Sequence, residues 1–383
     1  MTPGARVAAA IDVMEAVLAG RPAEVALVNW GRANRYAGSG DRAAVRDIVF
    51  DVLRCRRSCA ALGGGEGARS LVLGWARRNG AEMLFDGQGY APAVPGPGEA
   101  GRQPEGAEAI DCPDWLEAKL RASLGDGFEA VMNAMQRRAP VFLRVNTARA
   151  TREQAVAALA DDGIVARAHP LADTALEVVG GARKVHSSRC YVTGVVELQD
   201  AASQAVVAML PLSDGMTVLD LCAGGGGKTL AMAARARLSL YAHDAEARRM
   251  ADLPLRAERA GVQVHLTARP EETGPFDLVL ADVPCSGSGS WRRDPEGKWA
   301  LTPARLLALM ELQAAIMDRA ASMLHAGGAL AYATCSMLEI ENGAQIAAFL
   351  TRHPGWTLEA ERRFTPLDGG DGFYAAILRK LTV

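Results

Sequence analysis

The chain has 383 residues, 49% hydrophobic and 22% charged, about two and a half times the ~150 residues that serve as a prior for one domain. Two or three domains are therefore expected, and this ordinary globular usage excludes a wholly disordered, collagenous or coiled-coil chain. The net charge of -2 gives no bulk pull on an anion, so a nucleic-acid partner would need a local basic face.

At the N-terminus, Val7, Ile11, Met14, Val17 and Leu18, then Val45, Ile48, Val49, Val52 and Leu53, recur at helical spacing. This predicts a small all-helical domain over 1–85, with Asp41 placed as an N-cap. Asp12 and Glu15 interrupt the first apolar run, which a secretory leader would not tolerate. No later run approaches the ~20 apolar residues of a membrane span. A soluble, cytoplasmic chain is expected. The first 60 residues hold nine Arg (6, 21, 32, 35, 42, 46, 54, 56, 57) against six acids. Such a cluster can bind phosphates or simply form a solvated face.

Residues 86–109 hold six Gly and four Pro and read as part of a linker over 86–112. Residues 113–199 read as a helix followed by a small α+β subdomain, with strands expected at 141–147, 175–179 and 191–199. The seven cysteines (55, 59, 112, 190, 222, 285, 335) are odd in number and scattered, as reduced thiols are. No Cys or His pairing with zinc spacing occurs, so no metal is expected.

Over 200–383, short buried strands alternate with amphipathic helices from Thr217 onward: TVLDL, LSLYAHD, VQVHLT, FDLVLAD, GALAYAT. The pattern predicts an α/β domain with a doubly wound parallel sheet, in which ligands sit at the carboxyl ends of the strands. After the first strand, Cys222-Ala223-Gly224-Gly225-Gly226-Gly227-Lys228 offers a bare backbone at a helix N-terminus. Dinucleotide spacing fails, because 229 and 230 are Thr and Leu. Walker A spacing fails at position 222, which is Cys. Asp244 ends the second strand 20 residues after Gly224, where an acid can hold a ribose. Together loop and acid suggest an adenosine-containing ligand. The fourth strand runs into Asp282-Val283-Pro284-Cys285 and the fifth into Thr334-Cys335-Ser336. Two thiols and a carboxylate thus meet at the ligand-binding edge, and spacing alone treats Cys285 and Cys335 alike.

At these residues the chain resembles the Sun-type family of RNA (cytosine-5) methyltransferases. LDLCAGGGGKT is similar to that family's S-adenosylmethionine loop, ADVPCSGSGSWRRDP to its proline-cysteine motif and YATCSMLEIEN to its threonine-cysteine motif. RVN (144–146), ELQDAASQ (197–204) and GGDGFYAAIL (369–378) match as well, and GDRAAVRDIVFDVLR resembles its NusB-like RNA-binding domain. The resemblance implies a Rossmann-like S-adenosylmethionine-dependent methyltransferase domain preceded by a small α+β subdomain and an all-α NusB-like domain. It implies that Cys222 to Lys228 cradle the methionine part and that Asp244 holds the ribose. Cys335 would be the nucleophile, Cys285 would assist release, and Asp282 would face both cytosine and methyl donor. Lys228 would lower a thiol pKa or pair with Asp282. The implied partner is RNA, 16S ribosomal RNA before transfer RNA, for a monomer; a ribosome-assembly factor without methyl transfer is the rival. Trp291, Arg292 and Arg293 can stack on a base and bind phosphate, or Trp291 is simply a core residue. Two departures stand out. The family's usual Ala-Pro-Gly-Gly is here four glycines, and the acid usual after the third strand is replaced by Leu266-Thr267-Ala268-Arg269.

Overall fold

The computed structural model describes residues 1–382 and divides into two compact units. One comprises Met1–Arg138 with Trp291–Ala300, the other Ala139–Ser290 with Leu301–Val383.

The first unit is all-helical: α1 (Pro3–Leu18), α2 (Ala23–Ala33), α3 (Ser39–Arg54), α4 (Arg56–Gly63) and α5 (Ala68–Arg78), followed by helices Asp114–Leu124 and Phe128–Met135. Most of the helical stripe read from the sequence is its core: Val7, Met14, Val45, Val49, Val52 and Leu53 are fully or almost fully buried, while Leu18 is exposed. Asp41 lies inside α3, where its Oδ2 accepts the Gly38 N–H at 3.1 Å, so it caps the helix from the first turn. Residues 86–112 do not behave as a spacer between bodies. Arg69 binds the Ala93 carbonyl (2.8 Å) and the Glu99 carboxylate (2.8 Å), Arg77 binds the Glu99 carbonyl, and Arg102 N–H donates to Ala61 O at 2.8 Å. The segment lacks apolar periodicity because arginine–carbonyl bonds hold it. The helices at 114–135 belong to this unit, where the sequence pattern grouped them with the α+β subdomain.

The second unit holds two sheets. A four-stranded antiparallel sheet has the order β2 (Val165–Ala168), β3 (Ala175–Gly180), β1 (Val141–Val145), β4 (Val196–Leu198). The expected strand at 191–199 shrinks to 196–198, because Ser188 caps a short helix, Arg189–Val192, by accepting from Tyr191 N. β2, mostly exposed along its length, carries no burial signal and was not foreseen.

The larger sheet contains β5 (Thr217–Asp220), β6 (Ser239–Ala242), β7 (His265–Leu266), β8 (Phe276–Asp282), β9 (Leu324–Thr334), β10 (Trp356–Phe364) and β11 (Phe373–Lys380) in the order β10-β11-β9-β8-β5-β6-β7. Strands β5 to β9 are parallel; β11 and β10 add antiparallel at one edge. Alternate residues feed opposite cores, as a sheet covered on both faces requires. Val218, Leu278, Leu280 and Ala331 pack with helix Ala201–Ala208, while Leu219, Val279, Ala281 and Tyr332 pack with helices Pro303–Ser322 and Gly343–Arg352. β5 lies between β8 and β6, so the chain order reverses there and a crevice opens at the strand ends. No helix is long and apolar enough to cross a membrane among the described residues.

Candidate active site

The loop after β5 is shaped by residues far away in sequence. Gly224 and Gly226 take left-handed φ of +50° and +77°, and a Cβ on Gly226 would meet Leu253 Cδ1 at 2.1 Å. Only glycine fits there. Glycine at 224, where the family usually has Ala, suits its positive φ as well. Gly224 N–H donates to Asp244 Oδ2 at 2.9 Å, and Asp244 Oδ1 accepts the Glu246 N–H at 2.9 Å. Arg249 reaches the same carboxylate at 3.1 Å, and Arg256 donates to the Gly225 carbonyl. Buried Arg144, on β1, binds Gly227 O at 2.7 Å and Gln199 Oε1 at 2.6 Å. Burial pulls its pKa down to about 10. Where the acid after the third strand would stand, His243 Nδ1 instead meets the Thr267 carbonyl at 3.0 Å.

Asp220 closes β5. Its Oδ2 accepts the Thr229 hydroxyl at 2.6 Å, while the buried Oδ1 has no partner. Burial pushes its pKa up to about 7, against the Thr229 bond. An orphaned carboxylate oxygen beside a bare-backbone loop suits a ligand that brings a cationic amine, as the methionine part of S-adenosylmethionine does. The residues present fit that cofactor: Asp220, the 222–228 loop and Asp244. Cys222 is no nucleophile, since burial and then the charges of Asp220, Asp282 and Asp244 push its thiol to about 12.

The parallel register aligns Asp282 with Ala333, which brings the two cysteine loops side by side. Cys285 Sγ and Cys335 Sγ lie 3.4 Å apart. Lys228 Nζ donates to Asp282 Oδ2 at 2.7 Å and sits 4.9 Å from the centroid of the Phe373 ring. Burial opposes the Lys228 charge, but Asp282 outweighs it and raises the ammonium pKa. The two thiols are not equivalent. The hydrogen bond with Cys285, opposed by burial, lowers the Cys335 pKa, helped by Lys228 and the Ser290 hydroxyl. Cys285 is raised by that same bond, by burial, and by the charges of Cys335 and Glu341. The favoured microstate is a Cys335 thiolate accepting from a Cys285 thiol.

Glu341, fully buried, joins the two loops. Its Oε1 accepts Ser286 N–H (2.8 Å) and Gln313 Nε2 (2.9 Å); its Oε2 accepts the hydroxyls of Ser286 and Ser336, both at 2.5 Å. Asn342 accepts from Thr334 Oγ1 at 2.6 Å and donates to Ser336 O at 2.9 Å. The terminal segment braces the first loop through Gly372 N–H to Gly289 O at 2.9 Å, and Asp200 Oδ1 accepts Asp371 N–H at 3.0 Å. Arg144, Gln199, Asp200, Glu341 and Phe373 had no assigned role in the sequence; their signal was membership of the RVN, ELQDAASQ, LEIEN and GGDGF segments.

Trp291 and Arg292 correct an expectation. They are 1% and 5% exposed and belong to the helical unit, where Arg54 Nε donates to Arg292 O at 2.7 Å. A buried indole offers no free face for a base, so stacking there is withdrawn.

The sheet order and the loops at its carboxyl edge define the class: a Rossmann-like S-adenosylmethionine-dependent methyltransferase. A family model for 16S rRNA methyltransferase RsmB/F matches residues 207–379, and one for the RsmF/B-like methyltransferase, ferredoxin-like domain, matches 112–185. Ribosomal RNA small subunit methyltransferase B of Erwinia tasmaniensis is 34% identical over 284 residues, 70% of this chain and 66% of that one. The same-named protein of Klebsiella pneumoniae is 34% identical over 286 residues, again 70% and 66%. The chain belongs to the RsmB/F methyltransferase family. It aligns with just under two thirds of the length of these relatives. Among solved structures, that of PH0851 is similar over 99% of both chains, with a TM-score of 0.80 at 23% identity. A methyltransferase homolog protein from Pyrococcus horikoshii is similar over 72% of this chain and 97% of its own, with a TM-score of 0.62 at 24% identity. These two likenesses concern the fold.

Proposed function

We propose that the chain methylates carbon-5 of a cytosine in RNA, with 16S ribosomal RNA as the substrate, through a covalent adduct on Cys335. The observation that carries this reading is the 3.4 Å pair of unequal thiols beside the Lys228–Asp282 ion pair. Carbon-5 of cytosine is a poor nucleophile until a thiolate adds at carbon-6, which makes the ring an enamine. Cys335 is the thiolate for that addition. S-adenosylmethionine, held by Asp220, Asp244 and the 222–228 loop, supplies the electrophilic methyl. Asp282 uses Oδ1 toward ring N3 while Lys228 holds Oδ2, so protons can be exchanged with the ring as charge develops there. After transfer, carbon-5 carries both methyl and hydrogen. Cys285, once its own proton has passed to solvent, takes that hydrogen as a proton; the carbon-5 electron pair forms the carbon-5–carbon-6 double bond and expels Cys335 as thiolate. The target base must be unstacked to be reached. The arginines of the helical unit add phosphate contacts.

The relatives' name, ribosomal RNA small subunit methyltransferase B, supports the ribosomal substrate over transfer RNA. The test incubates Cys285→Ala and Cys335→Ala with S-adenosylmethionine and unmodified small-subunit RNA, followed by a denaturing gel. A covalent protein–RNA band with Cys285→Ala alone is expected. A band with Cys335→Ala alone would exchange the roles. If no variant gives a band and the wild type transfers no methyl, the assembly-factor reading replaces this one.

A further inference from the structure

Outside the catalytic unit, the helical unit carries a pocket of about 510 Å³ that the chemistry above does not use. It is lined by Ala5 and Asp12 on α1, Trp30 on α2, Asn34 and Tyr36 just beyond α2, and Tyr90. This volume falls within the range of about 300–1,000 Å³ typical of small-ligand sites. The close approach that builds it is visible at Gly4, where a Cβ would meet Ala91 Cβ at 2.6 Å.

We propose that this pocket binds one unstacked guanine of the RNA. The proposal rests on the reading of the chain as an RNA enzyme and adds a second, non-catalytic base site to it. Tyr36 and Tyr90 are 74% and 86% exposed, placing two aromatic rings at the rim where a base can stack. Among the lining side chains Asp12 and Asn34 offer acceptors, beside donors on Trp30 and the two tyrosines. Asn34 commits its amide nitrogen to Trp30 O at 2.9 Å, which leaves its carbonyl oxygen for a ligand. Asp12 makes no hydrogen bond among the described residues. Asp12 is exposed at the pocket wall, and partial desolvation together with the Glu15 charge pushes its carboxyl up.

An ionised carboxylate accepts only, through two oxygens side by side. Of the four RNA bases, guanine alone presents two adjacent donors on its Watson–Crick edge, N1–H and N2–H. Cytosine and adenine place an acceptor next to their amine, and uracil flanks its single N–H with two carbonyls. Outside the pocket, Arg32 and Arg35 are exposed and form no ion pair among the described residues. Arg35 lies between the lining residues Asn34 and Tyr36 and can meet the phosphate of a bound nucleotide. Amine donors inward and phosphate outward match a nucleotide rather than an apolar peptide.

The experiment measures binding of the full chain to a labelled short oligouridine carrying one central guanosine, and to its twin carrying inosine, which lacks the N2 amine. The wild type is expected to bind the guanosine oligonucleotide about tenfold more tightly. Asp12→Asn is expected to abolish that difference. Equal binding of both oligonucleotides by the wild type, or a preference that survives Asp12→Asn, overturns the proposal. Methyl transfer to small-subunit RNA is measured on the same preparations. Guanosine preference without methyl transfer sinks the proposed reaction and leaves this site standing; methyl transfer without preference does the opposite.

Discussion

At Asp220 a single buried oxygen without a partner sits on a carboxyl whose titration burial has moved. The folded chain holds this carboxyl near pH 7 against 3.8 for the free group, so between those values the folded state binds a proton that the unfolded state has released. Stability therefore falls as pH rises from about 4 to about 7 and is level beyond, by on the order of 4 kcal/mol for this group. Asp220→Asn keeps an acceptor for Thr229 and removes the titration. The urea midpoint of the variant is expected to exceed that of the wild type at pH 8 and to approach it at pH 4. A cationic amine placed at Oδ1 favours the ionised form. Affinity for S-adenosylmethionine, measured by calorimetry, should then rise with pH up to about 7 in the wild type and stay flat in Asp220→Asn. A flat wild-type profile would show that Asp220 does not face the amine. The sequence supplied Asp282, Cys285, Cys335 and the glycine loop directly, because strand ends of a doubly wound sheet are recognisable from the alternating pattern. It could not separate the two thiols, since their inequality comes from Lys228, Ser290 and Glu341, which only the fold brings near.

The loops after β8 and β9 are held as a pair by helix-side groups. Glu341 gathers four donors from three residues, two of them hydroxyls on the separate cysteine loops. Glu341→Gln conserves shape but forces the Ser286 and Ser336 hydroxyls to turn from donating to accepting. It also makes two charge-assisted bonds neutral, and such bonds are about twice as strong as neutral ones. Gln313 cannot simply flip, because the same nitrogen serves Pro284 O at 3.0 Å. A loss of about 1–3 kcal/mol in unfolding free energy is expected. Methyl transfer should fall at least about tenfold, since ~1.4 kcal/mol of misplacement at the thiol pair suffices for that. Cofactor affinity should be unchanged, and equal loss of cofactor binding would mark the defect as global. Elements show the same limit of legibility. Among the parallel strands β5, β8 and β9 announced themselves by burial, whereas both residues of β7 are exposed and only the alternating pattern pointed to it. The sequence pattern did not single out β10, whose six residues Thr357–Arg362 are all exposed, nor β2, and the arginine-stitched segment 86–112 read as a linker because polar bonds leave no period.

On the scale of the whole molecule, the unexpected feature is that residues 291–300, which follow the Cys285 loop in the chain, are part of the N-terminal helical unit. The bonds are numerous and inward. Lys298, 2% exposed, donates to Arg54 O at 2.9 Å; Trp299 Nε1 donates to Leu53 O at 2.6 Å; Ala23 N–H donates to Glu296 at 3.0 Å. Arg54 and Leu53 carry carbonyls at the end of α3, where a helix leaves its last acceptors unpaired; the Cys55 N–H serves Asp51 and Val52, and this segment serves the next two. A lysine so buried tolerates its charge only with such partners, and burial already lowers its pKa. Cutting the chain before residue 139 therefore does not simply release a catalytic domain. It strips Trp291, Lys298 and Trp299 of their surroundings and exposes two indoles and an apolar stem. The fragment 139–383 is expected to aggregate, whereas the same fragment with 291–300 replaced by a short Gly-Ser bridge should be monodisperse in gel filtration. Loss of solubility in both would show that the helical unit supports the second unit by more than this segment. Full solubility of the unmodified fragment would show that 291–300 needs no partner.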